Sequence, residues 1–97
     1  MILRARDIPT VNGRRPYPLD GREILAKHFV VRETTPTNPF GPHKHEQPEL
    51  WFIISGEAVV KLGDQETTVE PGDLIVIDPW EEHGLSASSR ATWICLG

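Results

Sequence analysis

The sequence predicts a small all-β barrel, and three observations carry that prediction. No segment keeps an apolar period of 3.6 residues for three turns, so no long amphipathic helix is encoded. Nine prolines and eight glycines interrupt the chain at short intervals. Between these breaks lie short runs rich in Val, Ile, Thr and aromatic residues, several of them alternating apolar with polar. Strands of this length and spacing in a chain of 97 residues suggest a sandwich or barrel around one core.

Taken in order, residues 1–21 differ from the rest. The stretch "RDIPTVNGRRPYPLDG" holds three prolines and two glycines, and only Ile2-Leu3 resembles a strand end. It reads as an N-terminal arm around a domain spanning 22–97. Strands are expected over 23–33, 49–55, 57–62, 66–70, 73–78 and 91–96. Residues 34–42, "TTPTNPFGP", read as a loop because Pro and Gly recur too often for a ladder. Gly63-Asp64 separates "AVVKL" from "QETTV" as a hairpin turn. Pro71-Gly72-Asp73 marks a second turn, and Asp78-Pro79 ends the strand after it. A core of this size buries little surface, so pairing into a homodimer through the arm or an outer sheet face is expected.

The bulk properties exclude several classes. Net charge is −4 and the only basic cluster is Arg14-Arg15, too small for a nucleic-acid footprint. One cysteine, Cys95, excludes an internal disulfide. "MILRARDIPT" interrupts its apolar residues with charge at once, unlike a signal peptide. No apolar run approaches the ~20 residues of a membrane span. A cytoplasmic protein without nucleic-acid or membrane partners is expected.

The stretch "HKHEQPE" carries the chemistry. His43 and His45, two apart, share a face if the segment is extended, with Cα atoms roughly 6.5 Å apart. A continuous strand would carry Glu49 roughly 13 Å from His45, out of reach of a shared ion. A helix is disfavoured by Pro42 and Pro48 and by the β-type run that follows. A bend at Glu46-Gln47-Pro48, with a new strand starting at Glu49, would let the carboxylate fold back. Alone, an H-x-H pair is more often a solvated loop than a ligand pair. His83, after the turn "DPWEE" that closes the apolar strand "DLIVI", is the fourth candidate.

With Gly56, "HKHEQPE" matches the pattern H-x-H-x3-E-x6-G at every marked position, and "PGDLIVIDPWEEH" has the glycine, short strand, turn and histidine of a second motif. In these two motifs the chain resembles the cupin family, and the strand pattern extends the resemblance over nearly everything past residue 22. Three turn positions depart from the family pattern: Thr37 stands at a leading glycine, Asp78 at a proline and Trp80 at a glycine. The resemblance implies a double-stranded β-helix, the jelly-roll barrel. It also implies a metal held by His43, His45, Glu49 and His83. Three imidazoles and a carboxylate suit one divalent transition ion, Fe, Mn, Ni, Zn or Cu. Such a set leaves two positions of an octahedron for water, dioxygen or a bidentate small molecule.

Other residues fall near this set. Trp51 and Ile53 share the Glu49 face of their strand and are candidates for pocket lining, although core packing is the simpler reading. Trp93 and Cys95 share a face of the last strand, where Cys95 reads as a small buried hydrophobe. His28 alternates with Ala26 and Val30, a structural position that could also supply a proton near the metal. The family hosts many chemistries on one scaffold. The leading expectation is a metal-dependent enzyme acting on a small oxygen-containing molecule, with oxygenase-type chemistry favoured because no separate general base is evident. The alternative is a non-catalytic module that binds a small molecule or metal.

Overall fold

The computed structural model describes all 97 residues, Met1 to Gly97. Its strands are β1 (Ile2–Leu3), β2 (Phe29–Thr34), β3 (Phe40–His43), β4 (Glu49–Ser55), β5 (Ala58–Leu62), β6 (Gln65–Val69), β7 (Leu74–Ile77), β8 (His83–Ser86) and β9 (Ala91–Leu96). The one helical element is a 3-10 turn at Ala5–Asp7, so no helix is long and apolar enough to cross a membrane. Two sheets result, ordered β1-β7-β4-β9-β2 and β3-β8-β5-β6, with every pairing antiparallel. This is the all-β jelly-roll barrel that the sequence predicts.

Alternation builds the core. Trp51 and Ile53 of β4 and Ala91, Trp93 and Cys95 of β9 point inward and are buried. They meet Val60, Val69, Ile75, Ile77 and Leu85 from the surrounding strands in one cluster. The two indoles lie at its centre, with ring centroids 4.6 Å apart. Each indole N–H finds a partner, as a buried indole requires: Trp51 donates to Glu49 and Trp93 to Thr34, both at 3.0 Å.

Three parts of the sequence reading need correction. Residues 23–28 are not a strand; only Phe29 onward pairs with β9, and no strand lies opposite the earlier residues. The expected 34–42 loop overlaps the end of β2 at Thr34 and the first three residues of β3, which tolerates Pro42 because it is the edge strand of its sheet. β8, a four-residue strand starting at His83, gave no signal because "HGLS" lacks a run of strand-forming residues.

The first 21 residues lie against their own barrel. β1 pairs with β7 through Ile2↔Ile75 and Leu3↔Leu74. The fully buried Asp73 carboxylate accepts the Ala5 N–H at 3.0 Å and the Glu70 N–H at 2.9 Å, with Arg4 at 3.6 Å. Tyr17 packs edge-on to Phe52 and its hydroxyl donates to the Gly72 carbonyl. Arg22 then grips Asp78 with two N–H donors, at 2.8 and 3.2 Å.

One motif position has a plain steric reason. At Gly56, φ is +80° and a Cβ would lie 2.0 Å from the Arg90 carbonyl oxygen, so no other residue fits.

Candidate metal centre

The three histidines come together through strand pairing and one hydrogen bond. His43 ends β3 directly opposite His83, which opens β8, and their rings stand edge to face with centroids 4.6 Å apart. That pairing brings the β3 backbone so close that a Cβ on Gly41 (φ +71°) would meet the His83 carbonyl oxygen at 2.8 Å. His45 lies beyond the end of β3 rather than along a continued strand. Its carbonyl accepts the Trp80 N–H at 2.8 Å, which ties it to the loop before His83. Its ring centroid is 5.5 Å from that of His43 and 4.7 Å from that of His83. One ring nitrogen from each of the three lies within 4.8 Å of the others.

The chain bends at Glu46-Gln47, passes Pro48 and re-enters the sheet at Glu49. The buried Glu49 carboxylate thereby returns to the cluster. Its Oε2 is 3.4 Å from His45 Nε2 and its Oε1 is 3.9 Å from His83 Nε2. The Trp51 indole steadies Oε1 from below. Glu49 is thus brought against His45 and His83, beside the group that the three histidines form.

The protonation of His83 follows from its neighbours. Its Nδ1 lies 2.7 Å from the Glu81 carbonyl oxygen, which can only accept, so Nδ1 carries the proton and Nε2 a lone pair. Burial holds the His83 pKa below its ordinary value; the Glu81 carbonyl opposes this in part, His43 and His45 add to it, and the Glu49 carboxylate opposes it weakly. His83 is therefore a neutral imidazole, the form that ligates metals.

The donor set fits a cation on the structure's own terms. His83 Nε2 and His45 Nδ1 are buried and lack any hydrogen-bond partner. A buried polar atom left in this state costs roughly 1–3 kcal/mol. For His83, whose Nε2 lone pair faces the cluster, a cation among the rings removes that cost. A cavity of about 520 Å³ opens beside it, lined by His28, His45, Pro48 and Glu49 among others. That is an ordinary size for a small-molecule site.

The five further candidates separate in space. His28 lines the cavity, with Nε2 3.9 Å from Glu49 Oε2. Trp51, Ile53, Trp93 and Cys95 lie in the core. Burial and the adjacent Glu49 carboxylate push the Cys95 thiol up to about 11, so with no ion beside it the thiol is protonated at neutral pH. Two contributors escaped the sequence reading. The Glu81 carbonyl orients His83 through its backbone, which leaves no side-chain signal. Arg32 points between the sheets, its guanidinium 4.4 Å above the Phe40 ring and 5.9 Å from that of Trp93. In "VVRET" it resembles a surface residue.

Comparison with known proteins agrees with this architecture. A gentisate 1,2-dioxygenase from Streptomyces sp is 30% identical over 74 residues, which are 75% of this chain and 21% of that protein. The chain thus spans about a fifth of that relative. A cupin 2 domain-containing protein from Halorhodospira halophila superposes with a TM-score of 0.71 at 22% identity, over 99% of this chain and 73% of its own. A predicted oxalate decarboxylase from Thermotoga maritima gives 0.67 at 24% identity, over 73% and 64%. The family model for the cupin domain matches residues 30–97, which include all three clustered histidines and Glu49. On that match the chain belongs to the cupin family.

Proposed function

We propose that the chain is a metal-dependent enzyme that holds one divalent transition ion on His43, His45, Glu49 and His83 and acts on a small oxygen-bearing molecule in the adjacent cavity. The observation that carries the proposal is the orphaned, buried Nε2 of His83, 3.9 Å from Glu49 Oε1 and grouped with ring nitrogens of His43 and His45, next to a cavity lined by His45 and Glu49. Bound there, such an ion would supply Lewis acidity or redox capacity. The chain's own residues do the rest. Glu81 fixes the His83 tautomer, and Trp51 fixes the Glu49 rotamer. His45 and Glu49 face the cavity, so a substrate oxygen entering it meets the donor set from the open side. Likeness to a gentisate dioxygenase supports oxygenase-type chemistry as the leading subclass.

The test is oxygen uptake by metal-loaded protein over a panel of enols, aromatic diols and small dicarboxylates. Uptake with one of them, abolished in a folded His45→Ala variant, is the expected result. Binding without conversion would favour a non-catalytic module instead.

The same reading includes a homodimer. Phe29 and Val31 of β2 are outward and more than half exposed, and register aligns them with Leu96 and Ile94 of β9 and with Leu50 and Phe52 of β4. Ile54 extends this apolar outer face. Contiguous exposed apolar surface of this kind marks an interface. Sedimentation at micromolar concentration should give a dimer that Val31→Lys dissociates; a monomeric wild type would contradict it.

A further inference from the structure

We infer that His28, Glu49 and Cys95 form a second cation site beside the three-histidine cluster, sharing Glu49 with it and suited to a borderline or soft ion such as Zn(II), Co(II) or Cu(I). The donors are a ring nitrogen, a carboxylate oxygen and a thiol sulfur, all within 4.8 Å of one another. Strand register explains why they meet. On β2, β9 and β4 the inward row Val30–Cys95–Trp51 is in register. One row further along lie His28, Gly97 and Glu49: Gly97 donates to the His28 carbonyl at 3.2 Å and accepts its N–H at 3.0 Å. Gly97 lies close against Glu49 on the other side, where a Cβ would meet Glu49 Cγ at 3.0 Å. The middle of that row therefore has no side chain. His28 and Glu49 reach over the gap from either side, and Cys95 rises beneath it from the next row.

The carboxylate of Glu49 lies between the two sets, with Oε2 3.4 Å from His45 Nε2 on one side. Oε1 lies towards His83 and Trp51, and Oε2 also lies 3.9 Å from His28 Nε2. A carboxylate so placed can bridge ions at the ~3.5–4 Å spacing of two-metal sites. Because Glu49 is shared, the Cys95 thiolate is the anion this site adds, beside a neutral imidazole. Binding replaces the S–H proton of Cys95, which leaves to water. The approach is open, since His28 and Glu49 line the 520 Å³ cavity and the His28 side chain is half exposed. The inference depends on the proposed enzyme site only through the shared Glu49.

Anaerobic titration of the full chain with Co(II), followed by equilibrium dialysis and near-ultraviolet absorption, tests it. The expected result is two equivalents, the second bringing a thiolate-to-cobalt charge-transfer band. That band should vanish in Cys95→Ser and in His28→Ala, and survive in His43→Ala. The exposed His28 keeps the test open should the buried Cys95→Ser fail to fold. One equivalent, with or without the band, or two without it, or a band indifferent to His28→Ala, would overturn the second site and leave the first standing. No bound cobalt at all would overturn both.

Discussion

Two buried carboxylates, Asp73 and Glu49, sit at opposite ends of the same β4–β7 pair and are treated in opposite ways. Asp73 is saturated: two backbone N–H groups hold its oxygens at 2.9 and 3.0 Å, and Arg4 stands at 3.6 Å. Its charge is matched, and what it achieves is local, tying the arm and the Pro71-Gly72 turn to the barrel. Glu49 accepts one indole N–H, while three imidazoles face it from 3.4 to 3.9 Å, longer than a hydrogen bond. Nearby, His83 Nε2 and His45 Nδ1 have no partner. Burial alone does not tell the two carboxylates apart. Satisfaction does, because a native fold leaves few buried polar atoms unpaired, and the unpaired ones lie at the Glu49 end.

Substitutions at the two ends should therefore give crossed effects. The largest is on metal affinity. His45→Ala or Glu49→Gln should weaken a divalent ion by more than the roughly 10–100-fold that outer partners contribute, read by chelator competition. Glu49→Gln should leave the melting point of the metal-free protein nearly unchanged. At the other end, Asp73→Ala strands two backbone donors and should cost about 2–3 kcal/mol, a fall of roughly 10–20 °C in melting temperature, with metal affinity intact. If either variant moved both readouts equally, the distinction between the ends would collapse.

Smaller effects sharpen the same contrast in the loop that follows β7 at the Glu49 end. Trp80 has φ +64°, a left-handed conformation that costs a bulky residue about 1–2 kcal/mol. Trp80→Gly should recover part of this as a melting point higher by a few degrees, while the backbone bond to His45 and the metal affinity remain. Last comes the Arg22–Asp78 pair. Hydrogen bonding to Arg22 holds the Asp78 pKa below its ordinary 3.8, against partial burial. The carboxylate therefore contributes stability that is complete above pH 3.8 and is lost as pH falls towards its lower folded value. Arg22→Gln should flatten that acid limb in a pH series of melting points. The pair is partly exposed, so the change should be the smallest of the set.

Legibility in the sequence followed the range of the interactions. The strands β4, β5, β6, β7 and β9 were readable within a residue or so because their own residues alternate or run apolar. The bend at Glu46-Gln47-Pro48 was readable because Glu49 could reach the histidines in no other way. What stayed hidden depends on distant neighbours. "FGPH" and "HGLS" carry weak strand signals, and only their pairing with each other and with β5 makes them β3 and β8. That pairing sets His43 opposite His83, a fact no local window contains. The run "ILAKHFVV" has strand composition throughout, yet only its end finds a partner in β9. Thr37 and Trp80, at family glycine positions, showed where a departure matters: Thr37 keeps a negative φ, whereas Trp80 takes a positive one.

The most direct measurement is anomalous diffraction from crystals grown with a divalent transition metal. A strong peak bonded to His43, His45, Glu49 and His83 at about 2.0–2.2 Å is expected, joined by a second peak bridged through Glu49 where the second site fills. Crystals that show no peak among those residues with any of Fe, Mn, Co, Ni, Zn or Cu would contradict it.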